Sequence, residues 1–158
     1  MTLTRVVTDD VEVIKEQMHL LIVNSVQNET FRQFAIQISV GRQDKVVAVY
    51  NWVKTNVHYI PDPENVEWFT SPAKMVEKYR QGYILAGDCD DHALLNAALL
   101  KVLGYQARVA LVAFEGNDIT HAYAEVYSPT LQRWIAVDTT SVFPLGWIFP
   151  ITEKQIVE

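Results

Sequence analysis

The chain has 158 residues, 49% of them hydrophobic and 20% charged, which suits one domain with a sizeable core and excludes disordered and collagen-like proteins. Its formal net charge is -6 and it contains no run of lysine and arginine, so we expect no nucleic-acid partner. The N-terminal sequence lacks a signal-peptide layout and no apolar run reaches the roughly 20 residues that span a bilayer, so we expect a soluble, cytoplasmic protein with no membrane partner.

The first half of the chain has the apolar spacing of helices. The sequence TDDVEVIKEQMHLLIVNSVQNETFRQFAIQIS predicts a helical segment that starts at Thr8 or Asp9 and breaks near Asn28. The sequence QDKVVAVYNWVKTNVHY predicts a second helix, which the prolines of IPDPENVEWFTSP bring to an end. A short third helix is predicted in PAKMVEKYRQG.

A fourth helix is predicted next, and after it the period of the sequence changes from helix to strand. Asp88 is the expected N-cap of this helix, and Gly104 is the expected left-handed residue that ends it. Three strands follow in ARVALVAF, HAYAEVYS and RWIAVDTT, with SPTLQ as the turn between the last two. Helices followed by an antiparallel meander predict an α+β fold.

The tail SVFPLGWIFPITEKQIVE is apolar but irregular, and we expect it to pack along the surface of the core. We therefore expect one domain over residues 1–158. Within it we expect an N-terminal helical part at about 8–45, a core at about 46–140 and the tail at 141–158.

The one cysteine of the chain, Cys89, lies at the expected start of the fourth helix and has no partner for an intramolecular disulfide. A helix N-terminus carries N–H groups and a partial positive charge, and both lower the pKa of a thiol. Repulsion from Asp88, Asp90 and Asp91 opposes this effect. The helix start alone therefore does not predict a nucleophile, and an additional cationic partner is needed.

A base and an orienting carboxylate for this thiol are available on two predicted strands. His121 begins HAYAEVY, and Asp138 lies in WIAVDTT, where an isolated aspartate is disfavoured unless it has a specific role. In one register of the hairpin the two residues are directly opposite, and in another they are diagonal, roughly 7–8 Å apart. An imidazole and a carboxylate can meet in either register, which predicts a catalytic arrangement of Cys89, His121 and Asp138.

Three segments of the chain together resemble the transglutaminase-like core: VYNWVKTNVHYIPDP, GDCDDHALLNAALLKVLGYQARVALVAF and THAYAEVYSPTLQRWIAVDTT. The resemblance spans about residues 46–140 and is strongest to small bacterial and bacteriophage-encoded members. It implies a papain-like α+β fold, with N-terminal helices and a catalytic helix packed on an antiparallel sheet. It also implies a triad of Cys89, His121 and Asp138 that acts on amide or peptide bonds through a thioester intermediate.

The resemblance implies a protein or peptide-like substrate and, for phage-encoded members, association with the virion and with phage structural proteins. We expect a cysteine-dependent enzyme that hydrolyses amide or peptide bonds, because water is the simplest acyl acceptor. No cofactor or metal is expected. The family also includes transglutaminases and members without demonstrated activity, so a non-catalytic binding or virion-assembly module is the alternative.

A third hypothesis is metal binding. Cys89 and His92 are three residues apart on one helical face, and with His121 or an aspartate they would form a zinc site. The second pair of ligands that a structural zinc site needs is missing from the sequence, so we expect His92 to cap the first turn or to line the cleft instead.

Several residues near the predicted site keep open assignments. An oxyanion hole needs a second donor besides the backbone N–H of Cys89, and Gln81, Tyr83 and Trp52 are all candidates. Tyr59 is expected either beside the site, as the resemblance implies, or in the core. The loop PDPENVEW is expected to be a solvated turn, although its acidic residues are also placed to line the cleft: Asp62, Glu64 and Glu67.

Overall fold

The structure is a computed structural model that describes residues 3–6, 10–62 and 67–158. In these ranges the elements follow in the order β1 (Leu3–Val6), α1 (Val11–Gln27), α2 (Glu29–Ser39), α3 (Lys45–Asn56), β2 (Val57–Tyr59), β3 (Glu67–Thr70), α4 (Pro72–Arg80), β4 (Leu85–Gly87), α5 (Cys89–Val102), β5 (Ala107–Ala113), β6 (His121–Ser128), β7 (Arg133–Val137) and β8 (Glu153–Val157).

The N-terminal helical segment breaks at Asn28, as expected. The backbone of Asn28 is extended, and its side chain accepts a hydrogen bond from the Phe31 N–H, so this residue ends α1 and caps α2. Asp10 caps the start of α1. The two expected caps, Thr8 and Asp9, lie outside the described residues. The observed cap is one or two residues further along the chain than the predicted ones.

The fourth predicted helix is α5, which lies at the centre of the fold. The Asp88 carboxylate accepts the N–H groups of Asp90 and Asp91, and the Asp91 carboxylate accepts the N–H of Asp88, which forms a capping box. Every residue from Asp91 to Leu100 is buried, because α1, α2 and α3 pack against α5 on one side and β5 and β6 on the other. Gly104, with a φ of 91°, follows its end as predicted.

The main sheet has the strand order β7-β6-β5-β8, and all its neighbours are antiparallel. The meander β5-β6-β7 is the predicted one. The tail was expected to be irregular throughout, and this is wrong for Glu153–Val157, which form β8 along β5. The physical reason is that β5 would otherwise leave a long hydrogen-bonding edge unpaired.

The short strands were not predicted. The second helix was expected to continue to Tyr59, but α3 ends at Asn56 and Val57–Tyr59 form β2, which pairs in parallel with β4. β1 and β3 form a separate antiparallel pair. Segments of three or four residues are too short to show a period of their own, so pairing with a distant segment decides their conformation.

The two faces of the main sheet are covered by different parts of the chain. Ala122, Ala124 and Val126 of β6 pack into the core that contains α5. Tyr123 belongs to a second cluster on the sheet, which the tail covers through Ile148 and other apolar residues. The structure thus confirms an α+β fold with helices packed on an antiparallel sheet. No helix among the described residues is long and apolar enough to cross a bilayer. The division of the chain at about residues 45 and 140 stays a prediction.

Candidate active site

His121 and Asp138 meet at one end of the main sheet. His121 is the first residue of β6, and Asp138 directly follows β7. Ala124 lies opposite Val137, which is the diagonal register of the two that the sequence allowed. The His121 Nε2 and Asp138 Oδ2 atoms are 2.7 Å apart, so the ring and the carboxylate share a short hydrogen bond.

Asp138 is buried and is held on both of its oxygens. Oδ1 accepts hydrogen bonds from the backbone N–H of Thr140, at 3.0 Å, and from its hydroxyl, at 2.7 Å. Burial alone would raise the pKa of Asp138, but the hydrogen bond and charge of His121 and the bonds from Thr140 bring the pKa below its ordinary value. Asp138 is therefore a fixed anion at neutral pH, suited to orienting an imidazole.

Cys89 is the first residue of α5 and is partly buried. One and two turns further along the helix, His92 and Asn96 both contact the Thr139 hydroxyl. The His92 Nδ1 lies 2.7 Å from Thr139 Oγ1, and Asn96 Nδ2 donates to the same oxygen at 2.9 Å. Since Thr139 follows Asp138 in the chain, these bonds tie the N-terminal half of the cysteine-bearing helix to the end of the sheet that carries the histidine and aspartate.

The contacts of His92, Asn96 and Thr139 were not anticipated from the sequence. Burial lowers the pKa of His92 to about 4, although the charge of Asp138 opposes this effect, so the ring is neutral at pH 7. Its Nε2 and the Asn96 Oδ1 have no hydrogen-bond partner among the described residues. The available signal was Asn96 itself, a polar residue in the apolar run ALLNAALL, because buried polar side chains need partners.

The zinc hypothesis gains no support from this arrangement. His92 turns one ring nitrogen to Thr139 and is 2% exposed. Within the part of the chain that the structure describes, the one converging group of three metal-capable side chains contains neither Cys89 nor a histidine.

That group consists of Asp62, Asp88 and Asp91, whose oxygens lie within 4.8 Å of one another. Asp62 was expected in a solvated turn, but it is partly buried and accepts the Trp68 N–H at 2.8 Å. Glu64 and the side chain of Glu67 lie outside the described part of the chain.

Burial changes the pKa of two of these carboxyl groups, Asp88 and Asp91. Burial, then the charge of Asp91 and contacts with Asp62, raise the pKa of Asp88 to about 8. Burial raises the pKa of Asp91 as well, although hydrogen bonds from the backbone of Thr70 and Asp88 oppose the shift. The Asp88 carboxyl group therefore keeps its proton at neutral pH and shares a hydrogen bond with the Asp62 side chain, which helps to fix the residue that precedes Cys89.

The three residues predicted as candidates for the second oxyanion donor make different contacts in the structure. Trp52 packs edge-on against Phe34, with ring centroids 4.9 Å apart, inside an aromatic cluster. Tyr83 is exposed and lies under the Lys78 ammonium, 4.3 Å from the ring centroid. Gln81 caps the end of α4 through its backbone.

Tyr59 lies on the strand that pairs with the segment leading to Cys89. It pairs with Gly87 across β2 and β4, two residues before the cysteine. Its side chain is 55% exposed, which excludes the core assignment. Burial, and then the negative charges of Cys89 and Asp88, raise the pKa of its phenol, so the hydroxyl is a neutral donor at neutral pH.

A groove of about 290 Å³ opens directly beside the histidine and aspartate. Its walls are formed by the first residue of the β5–β6 loop, by the start of β6, by the segment after β7 and by the tail: Phe114, His121, Asp138, Thr140, Ser141, Val142, Phe143, Ile148 and Phe149. A larger groove between α1 and β8 is lined by Glu12, His19 and other residues that belong to no part of this site.

Comparisons with known proteins agree with this fold. Residues 32–139 match the family described as the transglutaminase-like superfamily. A candidate cysteine protease from Cytophaga hutchinsonii has a similar crystal structure, with a TM-score of 0.55 and 22% identity, over 95% of this chain and 58% of that one. A candidate protease from Parabacteroides distasonis gives a TM-score of 0.56 and 14% identity, over 82% of this chain and 26% of that one.

At these identities the two structures show a shared fold, and the chain spans less than two thirds of the length of either protein. No curated protein matches the sequence of this chain.

Proposed function

This chain belongs to the transglutaminase-like superfamily, and we propose that it is a cysteine-dependent enzyme that hydrolyses amide or peptide bonds. Cys89 is the nucleophile, His121 the base and Asp138 the residue that orients the base. The observation that carries the proposal is the 2.7 Å hydrogen bond between His121 and Asp138, at the sheet end to which the cysteine-bearing helix is tied.

The chemistry follows from which ring nitrogen is already engaged. Asp138 binds Nε2 of His121, which leaves Nδ1 to exchange a proton with the thiol. The Cys89 sulfur forms a bond to the substrate carbonyl while Nδ1 takes the thiol proton. The tetrahedral intermediate then breaks its C–N bond, and the imidazolium returns that proton to the leaving amine.

The product of this first half of the reaction is a thioester on Cys89. His121 then takes a proton from water, the hydroxide adds to the thioester carbonyl, and the C–S bond breaks as the sulfur recovers a proton. The backbone N–H of Cys89 stabilises the oxyanion in both halves of the reaction, because the N–H groups of Asp90 and Asp91 are bonded to Asp88. The Tyr59 hydroxyl is the second donor that we assign to it, because Tyr59 pairs with Gly87, two residues before the cysteine, and its phenol is protonated.

The experiment that tests the proposal is the rate of alkylation by iodoacetamide between pH 5 and 10. Cys89 is the one thiol in the sequence, so the label reports on it alone. We expect reaction well below pH 8.5, the pKa of an ordinary thiol, because the imidazolium stabilises the thiolate. His121→Ala is expected to move the midpoint back toward 8.5. His19→Ala, which changes a histidine of α1, is the matched control.

A midpoint near 8.5 in both the intact protein and the His121→Ala variant would contradict the proposal that His121 activates Cys89. Peptide hydrolysis, followed by mass spectrometry with and without an added primary amine, separates a hydrolase from a transferase. Free acid as the main product is expected in both conditions, whereas an amide adduct as the main product would assign the chain to the transglutaminases.

A binding module that keeps the fold without turnover is the second candidate function, and the apolar groove beside His121 favours it. It predicts that Cys89→Ala leaves biological function intact, while an enzyme loses its function in that variant. Phage structural proteins as substrates or partners, and a place in the virion, are proposals that rest on the sequence resemblance. Incubation of purified virions with the intact protein and with Cys89→Ala protein, followed by mass spectrometry of the cleaved peptides, tests them.

A further inference from the structure

We propose that the aromatic groove beside His121 binds a large apolar side chain of the substrate, on the leaving-amine side of the scissile bond. This inference rests on the proposed function, since it places the groove relative to the reaction. It names the substrate class as peptides with phenylalanine, leucine or a similar residue directly after the cleaved bond. The aromatic groove is the set of residues that lines the 290 Å³ space described above.

The position of His121 decides which half of the substrate meets the groove. The imidazole must give its proton to the leaving nitrogen, so the residue that carries this nitrogen lies over the ring. His121 is itself a lining residue, and the Phe114 ring lies 5.7 Å from it between centroids. A side chain attached next to the leaving nitrogen therefore reaches the aromatic groove without crossing any other part of the site.

Three phenylalanine rings line the aromatic groove, and Trp147, which is not a lining residue, contacts two of them. The Phe149 centroid is 6.2 Å from that of Phe114, 5.0 Å from that of Phe143 and 5.1 Å from that of Trp147. Phe143 and Trp147 lie 3.7 Å apart. Edge-to-face ring pairs at such distances accept a further aromatic or branched apolar group with favourable contact energy.

These apolar groups are exposed to an unusual degree. Val142 is 91% exposed and Phe149 is 54% exposed. Contiguous apolar surface that faces water stabilises nothing in the isolated chain, and in soluble proteins it commonly marks a binding site. Covering Phe149 and Val142 with a substrate side chain removes this surface from water.

The segment that carries these rings is fixed before any ligand arrives. Lys54 donates to the Ser141 carbonyl at 3.0 Å, and Gly146 donates to the Ala136 carbonyl at 3.0 Å. The Thr152 N–H donates to the Ala113 carbonyl at 2.9 Å. Because hydrogen bonds hold this segment at its start, middle and end, it loses little conformational freedom when a ligand binds. This favours a preformed subsite over a surface that adapts to its ligand.

The scarcity of ionisable groups in the aromatic groove disfavours substrates with charged side chains at this position. Among the described lining residues, His121 and Asp138 are the ones with ionisable side chains, and they are bonded to each other. A lysine or aspartate side chain of the substrate would lose hydration in the aromatic groove without gaining an ion pair. The proposed preference is therefore for apolar over charged residues, as well as for large over small ones.

The test uses amines as acyl acceptors, because an amine that attacks the thioester occupies the place of the leaving amine. Cys89 is acylated with p-nitrophenyl acetate, and the yields of acetylated phenylalaninamide, leucinamide, alaninamide and aspartic acid α-amide are compared at equal concentration. We expect the first two to trap the acetyl group at least about tenfold better than alaninamide. Aspartic acid α-amide should give the lowest yield.

Variants connect the preference to the aromatic groove. Phe149→Ser is expected to reduce the advantage of phenylalaninamide over alaninamide to about twofold or less. Leu131→Ser removes another exposed apolar side chain, in the turn at the far end of β6 and β7, and should leave the preference unchanged. Equal trapping of all four amines by the intact protein, or a preference that survives Phe149→Ser, would overturn the inference and leave the proposed function standing.

A second measurement does not depend on the thiol. In the Cys89→Ala protein, p-nitrophenylalaninamide bound in the aromatic groove should quench Trp147 fluorescence with saturation, and the signal change should be lost in a Cys89→Ala, Trp147→Phe variant. If p-nitrophenyl acetate never acylates Cys89 but quenching saturates, the proposed hydrolysis fails and the apolar binding site stands. Absence of saturable quenching contradicts the binding site itself.

Discussion

Asp138 and Thr139 are neighbours in the chain and hold two different parts of the candidate site. Asp138 binds the His121 ring on β6, while Thr139 binds His92 and Asn96 on α5. Two consecutive residues thus connect His121, the proposed base, to the helix that begins with Cys89, the proposed nucleophile. Changes at either position are expected to affect reactivity at Cys89, but through different mechanisms.

Removal of the Asp138 carboxylate should disable the base. We expect Asp138→Ala to lower peptide hydrolysis by roughly 10²–10⁴-fold, because the ring loses both its orientation and the charge that stabilises the imidazolium. Asp138→Asn keeps an acceptor oxygen for Nε2 and should lose less. Asp118→Ala, an exposed aspartate just before β6, is the control. Equal rates for Asp138→Ala and Asp118→Ala would contradict the assigned role.

Thr139→Val removes a hydroxyl that two buried side chains share. His92 Nδ1 and Asn96 Nδ2 would then both lack a partner, which should lower the free energy of unfolding by about 1–3 kcal/mol. Urea denaturation at pH 7 measures the change. Thr139→Ser keeps the hydroxyl and should recover most of the loss. Thr120→Val, at an exposed position, should have little effect, and an equally small effect of Thr139→Val would exclude the structural role of these bonds.

The raised pKa of Asp88, about 8 against an ordinary value of 3.8, makes stability depend on pH. Between these values the folded protein keeps a proton that the unfolded chain releases, so the stability due to this group is present at low pH and is lost as the pH rises. Asp88→Asn retains an N-cap acceptor but cannot ionise. We expect the variant to match the intact protein near pH 4 and to exceed it by about 1–3 kcal/mol at pH 9.

Urea denaturation at pH 4, 6, 8 and 9 measures this difference. Asp44→Asn is the matched control, because Asp44 also caps a helix, α3, but is exposed. A stability difference for Asp88→Asn that is independent of pH would show that the carboxyl group is already ionised at low pH and would contradict the shared proton.

Gly87 has no room for a side chain. A Cβ at this position would lie 2.6 Å from the Asp91 Cβ and 2.7 Å from its Oδ2, so the capping box at the start of α5 would have to move. We expect Gly87→Ala to lower stability by about 1–3 kcal/mol and to slow alkylation of Cys89. Thermal unfolding and the iodoacetamide rate check both effects. An unchanged melting temperature would show that the start of α5 accommodates the added methyl group without loss of stability.

The sequence predicted the parts of the site that depend on local chemistry. The start of α5 at Asp88 and its end before Gly104 follow from capping preferences of single residues, and the structure confirms both. The strands β5, β6 and β7 follow from the alternation of apolar residues and the turn between β6 and β7. The same alternation, together with two allowed registers, was enough to expect His121 beside Asp138.

Only the tertiary structure decided the features that join distant segments. The pairing of β8 with β5, the contact of Thr139 with His92, and the meeting of Asp62 with Asp88 have no periodic signal in the sequence. Each depends on burial, because a polar group or a strand edge that leaves water must find a partner wherever the fold places one. Local propensity fixes a helix start or a strand within a few residues, whereas the choice of such partners is made by the packing of the whole chain.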